Sequence, residues 1–309
     1  MVTIAKTRKD SKIVSILVIV VLLVASALIT DNVFGDGSGL FDMAGLRGQT
    51  AADGKMMVEF IDVGQGDCTL ITDSEAVILI DGGESGEAET VINYLKNKNI
   101  EKIDCCIATH PHSDHIGSLS KVFENFEVED VIMPEIPEKI IPTTTTYERF
   151  LNSVSENVKN VYPAQRGDTY TYGGITLTIL APVDDYDDLN NMSVVTLASF
   201  GKTSVMITGD AETPSEEDML EFKGADYSAD ILKVGHHGSK TSSSEEWLNA
   251  VNPQFAVISC GIDNDYGHPH KQLIKRLEKA EIEYYRTDLA GNIVFESDGK
   301  EFVMLTQAE

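Results

Sequence analysis

From Lys55 onward the chain is a series of short apolar runs divided by polar, glycine-rich turns. Met56 to Asp62 predicts a first strand. Cys68 to Thr72 and Ala76 to Ile80 predict a hairpin around Asp73-Ser74-Glu75. Thr90 to Lys98 carries its apolar residues at helical spacing, and Ile103 to Ala108 reads as a buried strand. Helical spacing returns at Ile116, Leu119, Val122, Phe123 and Phe126, followed by a strand over Val128 to Met133. Pro134 to Thr146, with three prolines and four consecutive threonines, predicts an irregular loop, and Tyr147 to Val158 a helix. Thr169 to Leu180 predicts a hairpin around Gly173-Gly174, and Val194 to Phe200 and Ser204 to Thr208 a pair of strands around Gly201-Lys202. Strands at Ala229 to Val234 and Phe255 to Ser259 are each followed by a helix, one containing Trp247 and Leu248, the other spanning Lys271 to Ala280. Two last strands close the chain. Strands interleaved with helices in this way predict an α/β fold.

The N-terminus follows a different pattern. Ile13 to Thr30 contains no charge and is almost wholly apolar, and Lys6, Arg8, Lys9 and Lys12 precede it. A basic stretch before an apolar one is an export signal with its basic end in the cytoplasm. Its length suffices to cross a bilayer, whereas Ala25-Ser26-Ala27 would suit cleavage. The expected organisation is a signal-anchor or signal peptide over 1–30, a linker rich in Gly, Asp and Ala over 31–54, and one domain over 55–309. The retained anchor is preferred: a single-pass protein of the cell membrane, held through its N-terminal helix, with the domain outside. Cleavage would give a secreted protein instead.

A chain of 309 residues has room for one large α/β domain or two small ones, without covalent staples. Its 24 basic and 50 acidic residues give a formal charge of −26, which repels polyanions over most of the surface. A stable, non-specific nucleic-acid partner is therefore not expected. Cys68, Cys105, Cys106 and Cys260 show no C-x-x-C spacing and read as small buried hydrophobes, Cys105 and Cys106 facing opposite ways from one strand.

All seven histidines lie in three loops, each just after an apolar strand. The densest is Thr109-His110-Pro111-His112-Ser113-Asp114-His115, where three imidazoles and a carboxylate, the ligands a zinc-type ion prefers, fall within six residues. Asp81, at a strand end before Gly82-Gly83, is expected to support bound groups or cap a turn rather than ligate directly. Asp210, after an apolar run and a glycine, is placed to bridge two cations. The hydroxyl run Thr241 to Ser244 after His236-His237-Gly238-Ser239-Lys240 caps the next helix and offers donors to an oxyanion.

The H-x-H-x-D-H pattern of His110, His112, Asp114 and His115 resembles the signature of the metallo-β-lactamase superfamily. Phe60-Ile61-Asp62-Val63-Gly64-Gln65-Gly66-Asp67, Thr208-Gly209-Asp210, His236-His237-Gly238-Ser239 and Gly267-His268-Pro269 look like the hydrolase domain of ComEC-type DNA-uptake proteins. The resemblance runs from about Lys55 to the C-terminus. It implies a four-layer αββα sandwich, behind the N-terminal hydrophobic helix, with metals at one edge between the sheets. It also implies two divalent metal ions, Zn2+ or alternatively Mn2+. His110 and His112 would hold one ion, Asp114 and His115 the second, Asp210 would bridge, and His268 would complete the second site. The superfamily usually has a further histidine before the bridging aspartate. None stands between His115 and Asp210, where Asn190, Asn191 and Ser193 occur instead. His236 is expected to supply that ligand, in preference to His237.

The chemistry so implied is hydrolysis by a hydroxide generated between the two ions. Asp114 would also orient the nucleophile or relay its proton, His237 or His270 would protonate the leaving group, and Asn191, Ser193, Ser239 and Lys240 would contact a phosphate. The expected activity is that of an exported phosphodiesterase or nuclease on a small phosphodiester, a wall polymer or DNA. The alternatives are a lactonase or β-lactamase-type hydrolase of C–O or C–N bonds and a non-catalytic surface interaction domain.

Overall fold

The computed structural model describes residues 51–306 other than 223, all within one compact unit, Gln49–Glu309. The expected anchor over 1–30 and almost all of the linker over 31–54 lie outside the described residues. Among those described, no helix is long and apolar enough to cross a membrane.

The strands follow the apolar runs. In chain order they are β1 (Met56–Phe60), β2 (Thr69–Thr72), β3 (Val77–Ile80), β4 (Lys102–Ile107), β5 (Glu127–Met133) and β6 (Val158–Pro163). Next come β7 (Thr169–Tyr172), β8 (Ile175–Ala181), β9 (Val195–Phe200) and β10 (Thr203–Ile207), then β11 (Ile231–Lys233), β12 (Phe255–Ile258) and β13 (Glu283–Arg286). Last are β14 (Ile293–Ser297) and β15 (Phe302–Met304). One sheet has the order β15-β14-β1-β2-β3-β4-β5-β6 and the other β13-β12-β11-β10-β9-β8-β7. Pairing is antiparallel from β15 to β3 and parallel from β3 to β6. In the second sheet, β10 to β13 are parallel and β7 to β10 antiparallel.

Period-two alternation decides what lies between the sheets. Val58, Phe60, Ile78, Ile80, Cys105 and Ile107 of the first meet Leu177, Ile179, Val205, Ile207, Ile231 and Val257 of the second in one core. Cys106 faces away from Cys105, and all four cysteines are buried and unpaired. The opposite face of the second sheet is covered by α5 (Thr213–Leu220), α6 (Glu245–Val251) and α7 (Lys271–Lys279), through Met219, Trp247, Leu248, Leu273 and Leu277. Helices α1 (Ala88–Asn97), α3 (Leu119–Asn125) and α4 (Thr145–Asn157) pack together beside the first sheet, with Phe123 and Phe150 in ring contact. This is a mixed α/β architecture of two facing sheets with flanking helices.

Four features depart from the sequence expectation. The helix expected through Val158 stops at Asn157, and the chain joins the parallel edge as β6. Its residues alternate between half-buried and exposed, so it offers no apolar run. Helix α5 lacks an apolar stripe and depends on Pro214 at its start and an acidic first turn. The third late strand, β13, is only half-buried at the sheet edge. The continuous helix expected from Ile116 is broken: a single turn, α2 (Ser113–Ile116), precedes α3. Gly117 sits at the break, where a Cβ would stand 2.4 Å from the Ser85 nitrogen.

Candidate metal centre

The parallel strands deliver the histidine loops to one rim. Strand β4 leads into Thr109, β10 into Thr208-Gly209-Asp210 and β11 into Gly235-His236-His237, and β12 is followed by the loop carrying His268 and His270.

Asp81 holds the first loop in place. Its backbone is left-handed, φ 59°, a conformation Asp tolerates better than most residues. Its carboxylate accepts the Thr109 N–H at 2.8 Å and the Thr109 hydroxyl at 2.6 Å, and it lies 2.7 Å from His115 Nδ1. That contact turns His115 Nε2 inward, to 3.2 Å from Asp210 Oδ1. His110 meets hydroxyls at Nδ1, Thr109 at 3.2 Å and Ser193 at 3.3 Å, so its Nε2 also points inward. There it lies 3.0 Å from His112 Nδ1 and 3.7 Å from Asp210 Oδ2.

The next loop turns sharply. His236 (φ 46°), His237 (φ 52°) and Gly238 (φ 85°) are three consecutive left-handed residues. Two adjacent non-glycine residues in that region store backbone strain, which concentrates at functional sites. The turn sets the two rings edge to face at the same rim, their planes at 70°. His237 Nε2 lies 3.1 Å from Asp114 Oδ2 and 3.6 Å from Asp210 Oδ1. His236 Nε2 lies 3.8 Å from Asp210 Oδ2, and its Nδ1 is paired with Glu212 at 2.7 Å.

Two sets of donor atoms therefore share Asp210: His110 and His112 on one side, His115 and His237 on the other, with Asp114 against His237. Asp67 also lies in the second set, although one of its oxygens is 2.6 Å from the ammonium of the buried Lys233. A cation would have to compete with that ammonium, which makes Asp67 a partner of His237 rather than a ligand. The donor set fits a metal. Buried His115 Nε2 and Asp210 Oδ1 face each other at 3.2 Å without forming a hydrogen bond, as two groups directed at a common third centre would. Ligand atoms around a tetrahedral zinc lie about 3.3 Å apart, comparable to these spacings.

Charge supports the same reading. Burial opposes a proton on His237, but the carboxylates of Asp210 and Asp67 outweigh it and push the imidazole up to about 10. His115 is likewise raised against burial by Asp210 and Asp81. Asp210, though buried, is held well below the carboxylate range by His237 and His115. The metal-free cluster thus holds cationic protons where cations would sit. His110 is pushed far down by burial and then by His115.

The remaining candidates have other surroundings. His268, expected in the second site, lies outside both donor sets, and His237 faces the position assigned to it. Its ring stacks on Tyr266, 5.6 Å between centroids, and burial with the neighbouring His236 and His237 pushes it down to about 4. His270 Nδ1 accepts the Lys240 N–H at 3.0 Å. Asn191 and Ser193 are buried and spent on structure. The Asn191 carbonyl accepts N–H groups of Glu212 and Ser215 at the start of α5, and the Ser193 hydroxyl accepts the Asp210 N–H. Neither has a side-chain group left for a phosphate. Ser239 Oγ is 2.8 Å from the Thr241 hydroxyl, and Lys240 is exposed. Asp67, Glu212 and Lys233 were not singled out in the sequence. Asp67 closes the Phe60–Asp67 motif, which was the available signal.

Residues 61–262 match the family described as the metallo-beta-lactamase superfamily. The chain belongs to that superfamily. Within the metallo-β-lactamase superfamily it is similar to ComEC-type competence proteins. It is 31% identical over 258 residues to ComE operon protein 3 of Bacillus subtilis (77% of this chain, 32% of that protein). With Recombination protein 2 of Haemophilus influenzae it shares 33% identity over 243 residues (76% and 28%). With Competence protein ComA of Neisseria gonorrhoeae it shares 28% over 255 residues (81% and 33%). The matched region thus spans about a third of the length of these curated relatives. Among solved structures, the diiron β-hydroxylase CmlA of Streptomyces venezuelae superposes with a TM-score of 0.55 at 16% identity (84% of this chain, 59% of that one). The metallo-β-lactamase fold protein YhfI of Bacillus subtilis superposes with 0.52 at 15% (79% and 99%). At these identities the likeness is one of fold. The fold is that of the superfamily's metal-dependent hydrolases, and the His/Asp cluster stands at its metal-binding edge.

Proposed function

We propose that this domain is a two-ion phosphodiesterase. The observation that carries the reading is the position of Asp210 between His110 and His112 on one side and His115 and His237 on the other. His236, held at Nδ1 by Glu212, joins the first set from the solvent side, and Asp114 joins the second. These residues would hold two divalent cations, Zn2+ in the first instance, which when bound would supply an acidified water and stabilise charge on the substrate oxygen.

The protein's own groups do the rest. Asp114, only partly exposed, orients the nucleophile. His270 Nδ1 accepts the Lys240 N–H, so the ring presents its hydrogen at Nε2, which would hydrogen-bond the leaving-group oxygen at the rim. Lys240 is the exposed cation of the His236–Lys240 loop, and it attracts a phosphate. The similarity to competence proteins supports a phosphodiester over a lactone or lactam. The formal charge of −26 favours short or locally bound substrates over a long polyanion track. Held in the membrane by its N-terminal segment, the domain would act outside the cell on a small phosphodiester, a wall polymer or a stretch of DNA.

A panel of a bis-aryl phosphodiester, single-stranded DNA, a lactone and a chromogenic β-lactam, each with and without chelator, tests this. Chelator-sensitive cleavage of the phosphodiesters is expected. Turnover of the lactone or lactam alone would replace the reading, and no turnover at all would favour an interaction domain.

A further inference from the structure

The buried pair Asp67–Lys233 stands behind the second donor set, against His237. Lys233 is fully buried in β11, in the inter-strand register Ile207↔Lys233↔Val257. Its ammonium lies 2.6 Å from Asp67 Oδ2 and donates to the Val234 carbonyl at 2.9 Å. Asp67, also buried, touches two second-site residues. Its N–H donates to the Asp114 carbonyl at 3.1 Å, and its Oδ1 lies 3.2 Å from His237 Nδ1. That same Nδ1 lies 3.0 Å from the Ser259 carbonyl oxygen.

These contacts assign the proton on His237. A carbonyl oxygen and a carboxylate both only accept, so Nδ1 carries hydrogen, and Nε2, which faces Asp114 and Asp210, is the nitrogen whose proton a cation would replace. Asp67 Oδ1 forms no well-aligned hydrogen bond. Its effect on the ring is therefore the charge it places there, with Lys233 neutralising the outer oxygen. The pair is a fixed dipole with its negative end on the imidazole, which favours a ring that gives electron density to a cation. A buried ammonium and carboxylate are costly to maintain. The register neighbours of Lys233 on β10 and β12 are the apolar Ile207 and Val257.

We propose that Asp67 and Lys233 form a positioning unit that fixes the tautomer and direction of His237 and ties it to Asp114, setting the affinity for the second ion alone. The inference rests on the two-ion reading. It is tested on the full chain loaded with Zn2+ and labelled with 15N-histidine, by long-range proton–nitrogen correlation. The expected result is a protonated Nδ1 and a metal-bound Nε2 at His237. Ligation through Nδ1 would overturn the proposal and make Asp67 a direct ligand.

The charge-balanced double variant Asp67→Asn/Lys233→Met is compared by Zn2+ competition with a chromophoric chelator. About a 10- to 100-fold loss of affinity for one ion, with the other unchanged, is expected. Wild-type affinity for both ions in a folded double variant would overturn this proposal alone. A wild-type chain that takes up no second ion would overturn the two-ion reading, and this proposal with it.

Discussion

His236 and His237 are neighbours in the chain, yet they approach different oxygens of one carboxylate. His236 Nε2 is 3.8 Å from Asp210 Oδ2, and His237 Nε2 is 3.6 Å from Asp210 Oδ1. A regular strand would place adjacent side chains on opposite faces of the sheet, with one ring turned away from the site. The left-handed backbone at both residues brings both rings to the same edge. The turn is completed by Gly238, where a Cβ would stand 2.7 Å from Pro269 Cβ and 3.0 Å from Leu273 Cδ2. Gly238→Ala should cost about 1–3 kcal/mol through strain, and it should weaken metal binding by moving both rings. Denaturant unfolding of the metal-free chain checks the first effect, and chelator competition the second.

Glu212 should matter through His236. It holds His236 Nδ1 at 2.7 Å and accepts the Thr241 hydroxyl at 2.6 Å. Glu212→Gln and His236→Ala should therefore weaken the same ion, Glu212→Gln by about 10- to 100-fold. Equal metal affinity in wild type and His236→Ala would remove His236 from the ligand set. Isothermal titration with Zn2+ resolves the two binding events.

Asp81 offers a cleaner outer-sphere test, because asparagine also tolerates a positive φ. Asp81→Asn should fold, keep the Thr109 contacts in part, and lose the charge that turns His115 inward. About a 10- to 100-fold drop in affinity for one ion is expected, with a lower thermal midpoint for the metal-free chain, whose buried His115 loses a neighbouring charge.

Metal-free and metal-loaded chains should respond to pH in opposite directions. His237 is raised from 6.5 to about 10 in the fold, by Asp210 and Asp67 against burial. A raised imidazole stabilises fully below its unfolded value, and that contribution is lost as pH rises through the folded one. The metal-free chain should thus be less stable at pH 10 than at pH 6.5. Loading must displace the protons on His237 and His115, so Zn2+ affinity should fall as pH drops across the same interval. Thermal melts with and without Zn2+ at several pH values check both slopes.

The α/β class was legible because core strands such as Ile103 to Ala108 and Phe255 to Ser259 are near-continuous apolar runs, whereas the two facing sheets were expected only from the resemblance carried by the H-x-H-x-D-H motif. Strand β6 and helix α5 were not, since one is an exposed edge and the other a polar helix. The loop at His110 to His115 announced itself through ligand spacing alone. The orientation of His237 did not, because it depends on positive φ at two non-glycine residues, which composition does not mark. Gly238 was the only local hint. The Asp67–Lys233 pair joins the loop before β2 to strand β11 of the other sheet, and no local pattern links them. Asn191 and Ser193 looked available to substrate in the sequence because their burial depends on how α5 docks.

The central claim is a pair of ions sharing Asp210. It is tested most directly by metal analysis of the purified full chain and of Asp210→Ala, alongside cleavage of a bis-aryl phosphodiester. The account predicts two ions per wild-type chain, fewer in Asp210→Ala, and a loss of cleavage of at least about 100-fold in the variant. Metal at trace levels in the wild type, or cleavage unchanged in Asp210→Ala, would contradict it.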